Sequence, residues 1–172
     1  DKLNNHLLEI PNIPHHTCPI GDSEEGNKLI EKHGEITNTN SDEHSDILDK
    51  LNMLSFEDAV KITQNRFVVL NGQVASLHRA LINFMLDIHV NNYEYTEISP
   101  PLIVNEDVMF GTGQLPKFEM DQFEIKFDNS DQRKFLIPTA EVVLTNLVRK
   151  SIIEKKLLPK RFVASTPCFR KE

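Results

Sequence analysis

Leu136-Ile137-Pro138-Thr139-Ala140-Glu141 and Thr166-Pro167-Cys168-Phe169-Arg170-Lys171-Glu172 are the two stretches around which this chain is organised. In each, an apolar run closes on a short polar signal, Thr-Ala-Glu in one and Arg-Lys-Glu in the other. The first brings a hydroxyl and an anion, the second a guanidinium and an anion two residues apart. Side chains at i and i+2 of a strand share a face, so a strand over 162–172 would point Arg170 and Glu172 into the same space. A planar cation beside a carboxylate suits a ligand that carries both phosphate and amine groups. The residues also support plainer readings. Thr139 reads as a helix N-cap with Glu141 in the favourable first turn, and this is the stronger reading of the residues alone. Arg170 with Glu172 reads equally as a surface ion pair, worth under about 1 kcal/mol.

Working outward, 172 residues can bury one core, and 39% apolar with 26% charged residues is close to an ordinary globular balance. The net charge of -7 argues against a nucleic-acid surface spread over this segment, because phosphate contacts need clustered Lys and Arg. Two cysteines, Cys18 and Cys168, are too few for a disulfide framework or a zinc site and read as reduced thiols of a cytosolic protein. His15-His16-x-Cys18 lacks the further ligands of a metal centre, so no metal ligands are assigned. No run approaches the length of a membrane span, and no signal-peptide pattern follows Asp1. A chain without an initiator Met is expected to begin inside a longer protein.

The pattern predicts the following elements. Leu3, Leu7, Leu8 and Ile10 suggest the end of a helix, stopped by Pro11 and Pro14. Residues 18–45 read as an irregular entry segment. Ile47, Leu48, Leu51 and Leu54 have helical spacing, and Ser55 caps a short helix with acids in its first turn. Residues 66–70 form a strand candidate broken by Asn71-Gly72. Val74, Leu77, Leu81, Phe84, Met85 and Ile88 mark a long amphipathic helix over 73–91, expected to face a core. Residues 95–104 are extended, and Pro100-Pro101 puts that strand at an edge, bulge or interface. Asn105 is a candidate N-cap with Gly111 as terminator; 123–127 and 134–137 read as strands joined by a turn. A helix over 141–150 and a last strand over 161–169 complete the pattern.

Phe169-Arg170-x-Glu172 resembles the start of motif 2 of class II aminoacyl-tRNA synthetases, and Ile137-Pro138-Thr139-Ala140-Glu141-Val142 resembles the Thr-x-Glu loop of the seryl-tRNA synthetases. Gly111-Thr112-Gly113-Gln114-Leu115-Pro116-Lys117-Phe118 and Pro11-Asn12-Ile13-Pro14-His15 are similar to further blocks of that family, in the same order and spacing. Pro101-Leu102-Ile103 fits its motif 1, with one departure: Glu94 stands where the family usually has Gly. The Gly-x-Gly of the third block lacks Walker or Rossmann context and is taken as a family marker, not a phosphate cradle.

The resemblance, of bacterial type, implies an α+β fold, an antiparallel sheet flanked by helices, of which this chain holds only part. Residues 1–10 would end a coiled-coil arm and 11–172 would begin the catalytic domain, with motif 1 around 73–104 and motif 2 starting at 162–172. The implied reaction activates L-serine with ATP, helped by Mg²⁺, and passes the seryl group to the 3' end of serine tRNA, or of the selenocysteine tRNA where one exists. Thr139, Ala140 and Glu141 would line the serine pocket. Arg170, Lys171 and Glu172 would bind ATP, with Arg170 the catalytic group. Pro101 would sit at a homodimer interface. The protein would be cytoplasmic, with no membrane partner, and would reach tRNA mainly through the arm. The segment alone is expected to be inactive. Two other classes remain: an arm-less ligase that loads a carrier protein, and a non-catalytic dimerising module of the same fold.

Overall fold

The computed structural model describes residues 2–35, 42–127 and 131–171, and the chain divides between Val69 and Leu70 into two units. In the first unit the leucine-rich start forms α1, Lys2–Glu9. Residues 10–35 carry only a 3-10 turn at Glu24–Gly26, as their Gly, Asn and Ser content predicts. The part of the expected entry segment at 36–41 lies outside the described residues. Then come α2, His44–Lys50, the short strand β1, Leu54–Ser55, and α3, Phe56–Ile62. Ser55 caps α3 as expected, its Oγ accepting from the Asp58 N–H at 3.1 Å. Strand β2 is confined to Val69–Leu70, shorter than 66–70, because Arg66 sits at φ 72, where a ladder cannot start.

The second unit opens with α4, Gly72–Tyr93. Its expected core face is only half realised. Val74 and Ile88 are half-buried, whereas Leu77, Leu81, Phe84 and Met85 are 56%, 48%, 61% and 54% exposed. The helix ends at Glu94, which takes the left-handed conformation at φ 58, ψ 33 while the Tyr95 N–H closes on His89 O. This is the position where the sequence departs from the usual Gly, and an L side chain pays a steric cost there.

Strand β3, Thr96–Glu97, and strand β4, Ile103–Asn105, flank Pro100-Pro101. Helix α5 spans Glu106–Gly111, and a 3-10 turn follows at Glu119–Asp121. Asn105 precedes α5 but makes no side-chain cap; its Oδ1 accepts from Lys134 Nζ at 2.6 Å instead. Strand β5, Glu124–Ile125, and strand β6, Lys134–Leu136, lead to α6, Ala140–Asn146, and finally to β7, Phe162–Val163. The sheet is antiparallel with β6 in the middle, Val104 opposite Phe135 on one side and Glu124 opposite Phe135 on the other. Val104, Met109, Leu115, Phe135, Ile137, Val142 and Val143 form the buried core between that sheet and α5 and α6. This is the expected α+β arrangement, with one addition: β3 and β7 pair in parallel, Thr96 against Phe162.

The expected strand over 161–169 is corrected. Only Phe162–Val163 pairs in a ladder. Beyond it, Pro167 has no N–H to donate, and the backbone bonds run to loop carbonyls, Phe169 N to Ile137 O at 2.9 Å and Lys171 N to Asp121 O at 3.0 Å. Helix α6 likewise stops short of 150. Arg149 serves α5 rather than its own helix end, donating to Asp107 O at 2.9 Å and to Asp107 Oδ2 at 2.7 Å.

Glu94→Gly is expected to raise the unfolding free energy by about 0.5–1 kcal/mol, the steric relief exceeding the extra chain entropy of glycine; a lower denaturation midpoint would contradict this. Acid dependence follows from two carboxyls held below their usual range, Glu124 by hydrogen bonds from Arg133 and Asp107 by one from Arg149. A depressed carboxyl stabilises fully above its unfolded value, near about pH 4, and loses that contribution as pH falls through its folded value. Denaturant titrations should therefore show stability falling below about pH 4, with a shallower fall for Glu124→Gln.

Candidate functional site

The middle strand delivers the first signal. Phe135 and Ile137 are 1% and 0% exposed, so the chain leaving β6 is fixed in height, and Pro138 is also fully buried. Thr139 then caps α6: its Oγ1 accepts from the Glu141 N–H at 3.3 Å. A hydroxyl offers one donor and two acceptor sites, so a cap that uses an acceptor site leaves the hydroxyl its O–H and a second acceptor site for other groups. Thr139 and Ala140 are half-buried, and Glu141 is exposed in the first turn of the helix. Glu141 lines an open cavity of about 640 Å³ whose other walls include Leu144, Val148, Lys160, Phe162 and Val163.

The second signal is brought to the first by backbone. Arg170 Nε donates to Pro138 O at 3.2 Å, and the Phe169 N–H donates to Ile137 O. The guanidinium is thus tethered to the residue just before Thr139. Arg170 also lines a cavity of about 280 Å³ with Gln114, Phe118, Asp121, Gln122 and Pro138. Lys171 is exposed, its Nζ 5.7 Å from the Phe123 ring centroid. Glu172 lies outside the described residues. The structure therefore joins Arg170 to the Thr139 turn but lines separate cavities with Arg170 and Glu141.

Sequence reasoning missed the wall formed by Gln114, Phe118, Asp121 and Gln122. Gln122 is 2% exposed; its Nε2 donates to Phe118 O at 3.0 Å while its Oε1 lacks a partner. Two of these residues, Gln114 and Phe118, belong to the Gly111 to Phe118 block; nothing in the sequence marks Asp121 and Gln122. The glycines of that block have physical reasons. A Cβ on Gly111 would lie 3.1 Å from Asn146 Oδ1, and Gly113 adopts φ +73. Pro101, the expected interface residue, is exposed just before β4. Among the described residues no helix is long and apolar enough to cross a membrane.

No protein-family model matches the chain. Relatives do. A serine–tRNA ligase of Pelagibacter ubique is 56% identical over all of this chain and 42% of its own length. One of Natranaerobius thermophilus is 49% identical over 99% of the chain and 40% of its own length. Among solved structures, a seryl-tRNA synthetase from Pyrococcus horikoshii complexed with ATP has a TM-score of 0.80 at 30% identity, covering 99% of this chain and 42% of that one. A cytoplasmic serine–tRNA ligase from Naegleria fowleri, in complex with AMP, has a TM-score of 0.83 at 24% identity and supports the fold. The chain thus spans about two-fifths of the length of the relatives it matches. Over that span identity and fold agree, and the chain belongs to the seryl-tRNA synthetase family.

Proposed function

We propose that this chain is the first part of the catalytic domain of a cytoplasmic, homodimeric serine–tRNA ligase. Residues 1–10 end a helical arm, motif 1 lies around 73–104 with Pro101 at the dimer contact, and motif 2 begins at 162–172. The observation that carries this reading is the tether between Arg170 and Pro138 O, which brings a guanidinium to the Thr-Ala-Glu turn in a chain 56% identical to a serine–tRNA ligase.

In the first step the serine carboxylate attacks the α-phosphate of ATP and pyrophosphate leaves. In the second, the terminal ribose hydroxyl of the tRNA takes the seryl group and AMP leaves. Arg170, held at its Nε edge, stabilises the negative charge that grows on the phosphoryl oxygens and so acts more on the transition state than on the ground state. Lys171 and Glu172 complete the ATP segment. Glu141 accepts from the serine ammonium, Thr139 orients it by accepting through the second lone pair that its cap leaves over, and Ala140 leaves room for it. Mg²⁺ neutralises phosphate charge in such chemistry. Among the described residues no group of three or more His, Cys, Asp or Glu is placed to hold a metal ion.

The test is exchange of labelled pyrophosphate into ATP by the full-length protein, with serine and with alanine, threonine and glycine as controls. Exchange with serine alone is expected, and Arg170→Ala should reduce it about 100-fold. Absence of exchange with every amino acid would return the chain to the class of non-catalytic modules. Thr139→Ala is expected to cost about 1 kcal/mol of stability through the lost cap. It should also raise the KM for serine, with Thr139→Ser restoring both. A loss of stability with an unchanged KM would leave Thr139 a cap and nothing more.

A further inference from the structure

We propose that Arg133 is a positioning residue for Arg170, an assignment that rests on the functional reading of Arg170 as the group acting on ATP. Arg133 joins three elements with one side chain. Its Nη1 donates to Glu106 Oε1 at 2.9 Å in the first turn of α5, and its Nη2 to Glu124 Oε2 at 2.9 Å on β5. Nη2 also donates to Glu119 Oε1 on the 3-10 turn, and Nε reaches Glu124 Oε1 at 3.3 Å. The guanidinium lies over the Phe135 ring, 5.0 Å from its centroid, and the side chain is 33% exposed.

The consequence for Arg170 runs through backbone. The residues on either side of Arg170 are pinned, Phe169 N to Ile137 O and Lys171 N to Asp121 O. Asp121 closes the 3-10 turn that begins at Glu119, the residue Arg133 grips. Ile137 and Pro138 continue the strand that begins immediately after Arg133. Arg133 therefore sets the spacing between the two carbonyls that bracket Arg170. The turn also supplies Asp121, and Gln122 follows it, to the cavity that Arg170 lines. A lysine at 133 would keep the charge but not the planar fork that reaches carboxylates in three directions.

The test is a double-mutant cycle in the full-length protein, read by serine-dependent pyrophosphate exchange. Arg133→Lys is expected to lower kcat about 10-fold when Arg170 is present, since small misplacements of a reacting group cost up to about 100-fold. In an Arg170→Lys background the same change should cost less than about 2-fold, because the group it positions is already gone. Glu119→Ala severs only the arm to the turn; it should lower kcat in the same direction by about 3-fold and lose that effect in the Arg170→Lys background. It decides the question if Arg133→Lys fails to fold. Equal losses in both backgrounds, or no loss, would make Arg133 a purely structural hub and overturn the inference. Wild-type protein without serine-dependent exchange would overturn the functional reading first, and this inference with it.

Discussion

Burial of Phe135 and Ile137 on the middle strand is the constraint on which the second unit depends. Strand residues alternate between faces, so a slip of one position would turn Lys134 and Leu136 into the core and expel both apolar anchors. With Phe135 fixed between Val104 and Glu124, the strand can leave the sheet only at Ile137 and Pro138. The Thr139 cap, the start of α6 and the carbonyls that receive Phe169 and Arg170 all follow from that exit point. The core also explains why two short helices suffice. Met109 from α5 and Val142 from α6 are both 0% exposed, so each helix is held by packing and not by its own length.

What the sequence disclosed is what local rules govern. Ser55 capping α3 and Thr139 capping α6 act over two or three residues, and both were legible from residue type and position. The strands at 124–125 and 134–136 fall within the stretches 123–127 and 134–137 that the sequence marks as strands on either side of turn-rich residues. The family resemblance made Thr139, Glu141 and Arg170 candidates where composition alone favoured a cap and a surface pair. The misses are non-local. Arg133 pairs with Glu106 across 27 positions, and Arg149 with Asp107 across 42, separations for which a single sequence carries no pattern. The strand over 161–169 failed for a related reason: apolar, β-branched residues favour extension, but a ladder needs a neighbour at the right height, and beyond Val163 the neighbours are loops.

Helix α4 shows a different limit. Periodicity identified the helix and its apolar stripe correctly but not what the stripe meets. Leu77, Leu81, Phe84 and Met85 remain largely open to water, an arrangement unfavourable for a helix that ends as a free surface. The proposed dimer contact at motif 1 would remove such side chains from water. The strained cap at Glu94 terminates the same helix, where its carboxylate comes within 3.4 Å of Arg161 on the approach to β7. A glycine would ease the turn but could not make that contact.

The separation of Glu141 from Arg170 bears on how a ligand would be held. The two side chains line different cavities, yet Arg170 is tethered to Pro138 O and Glu141 belongs to the same short turn at 138–141. A ligand bearing an ammonium at one end and an activated carboxyl at the other would have to lie along that turn and engage each group by a different end. Such a division suits chemistry in which recognition and reaction need opposite charges: an anion to hold the amine, a cation to meet the phosphate, and enough distance that the two do not neutralise each other. Thr139 sits on the same turn with one acceptor site of its hydroxyl committed to the helix, which leaves the second acceptor site to meet an ammonium. The cap would then do more than end a helix, because fixing the oxygen also fixes where its remaining lone pair points.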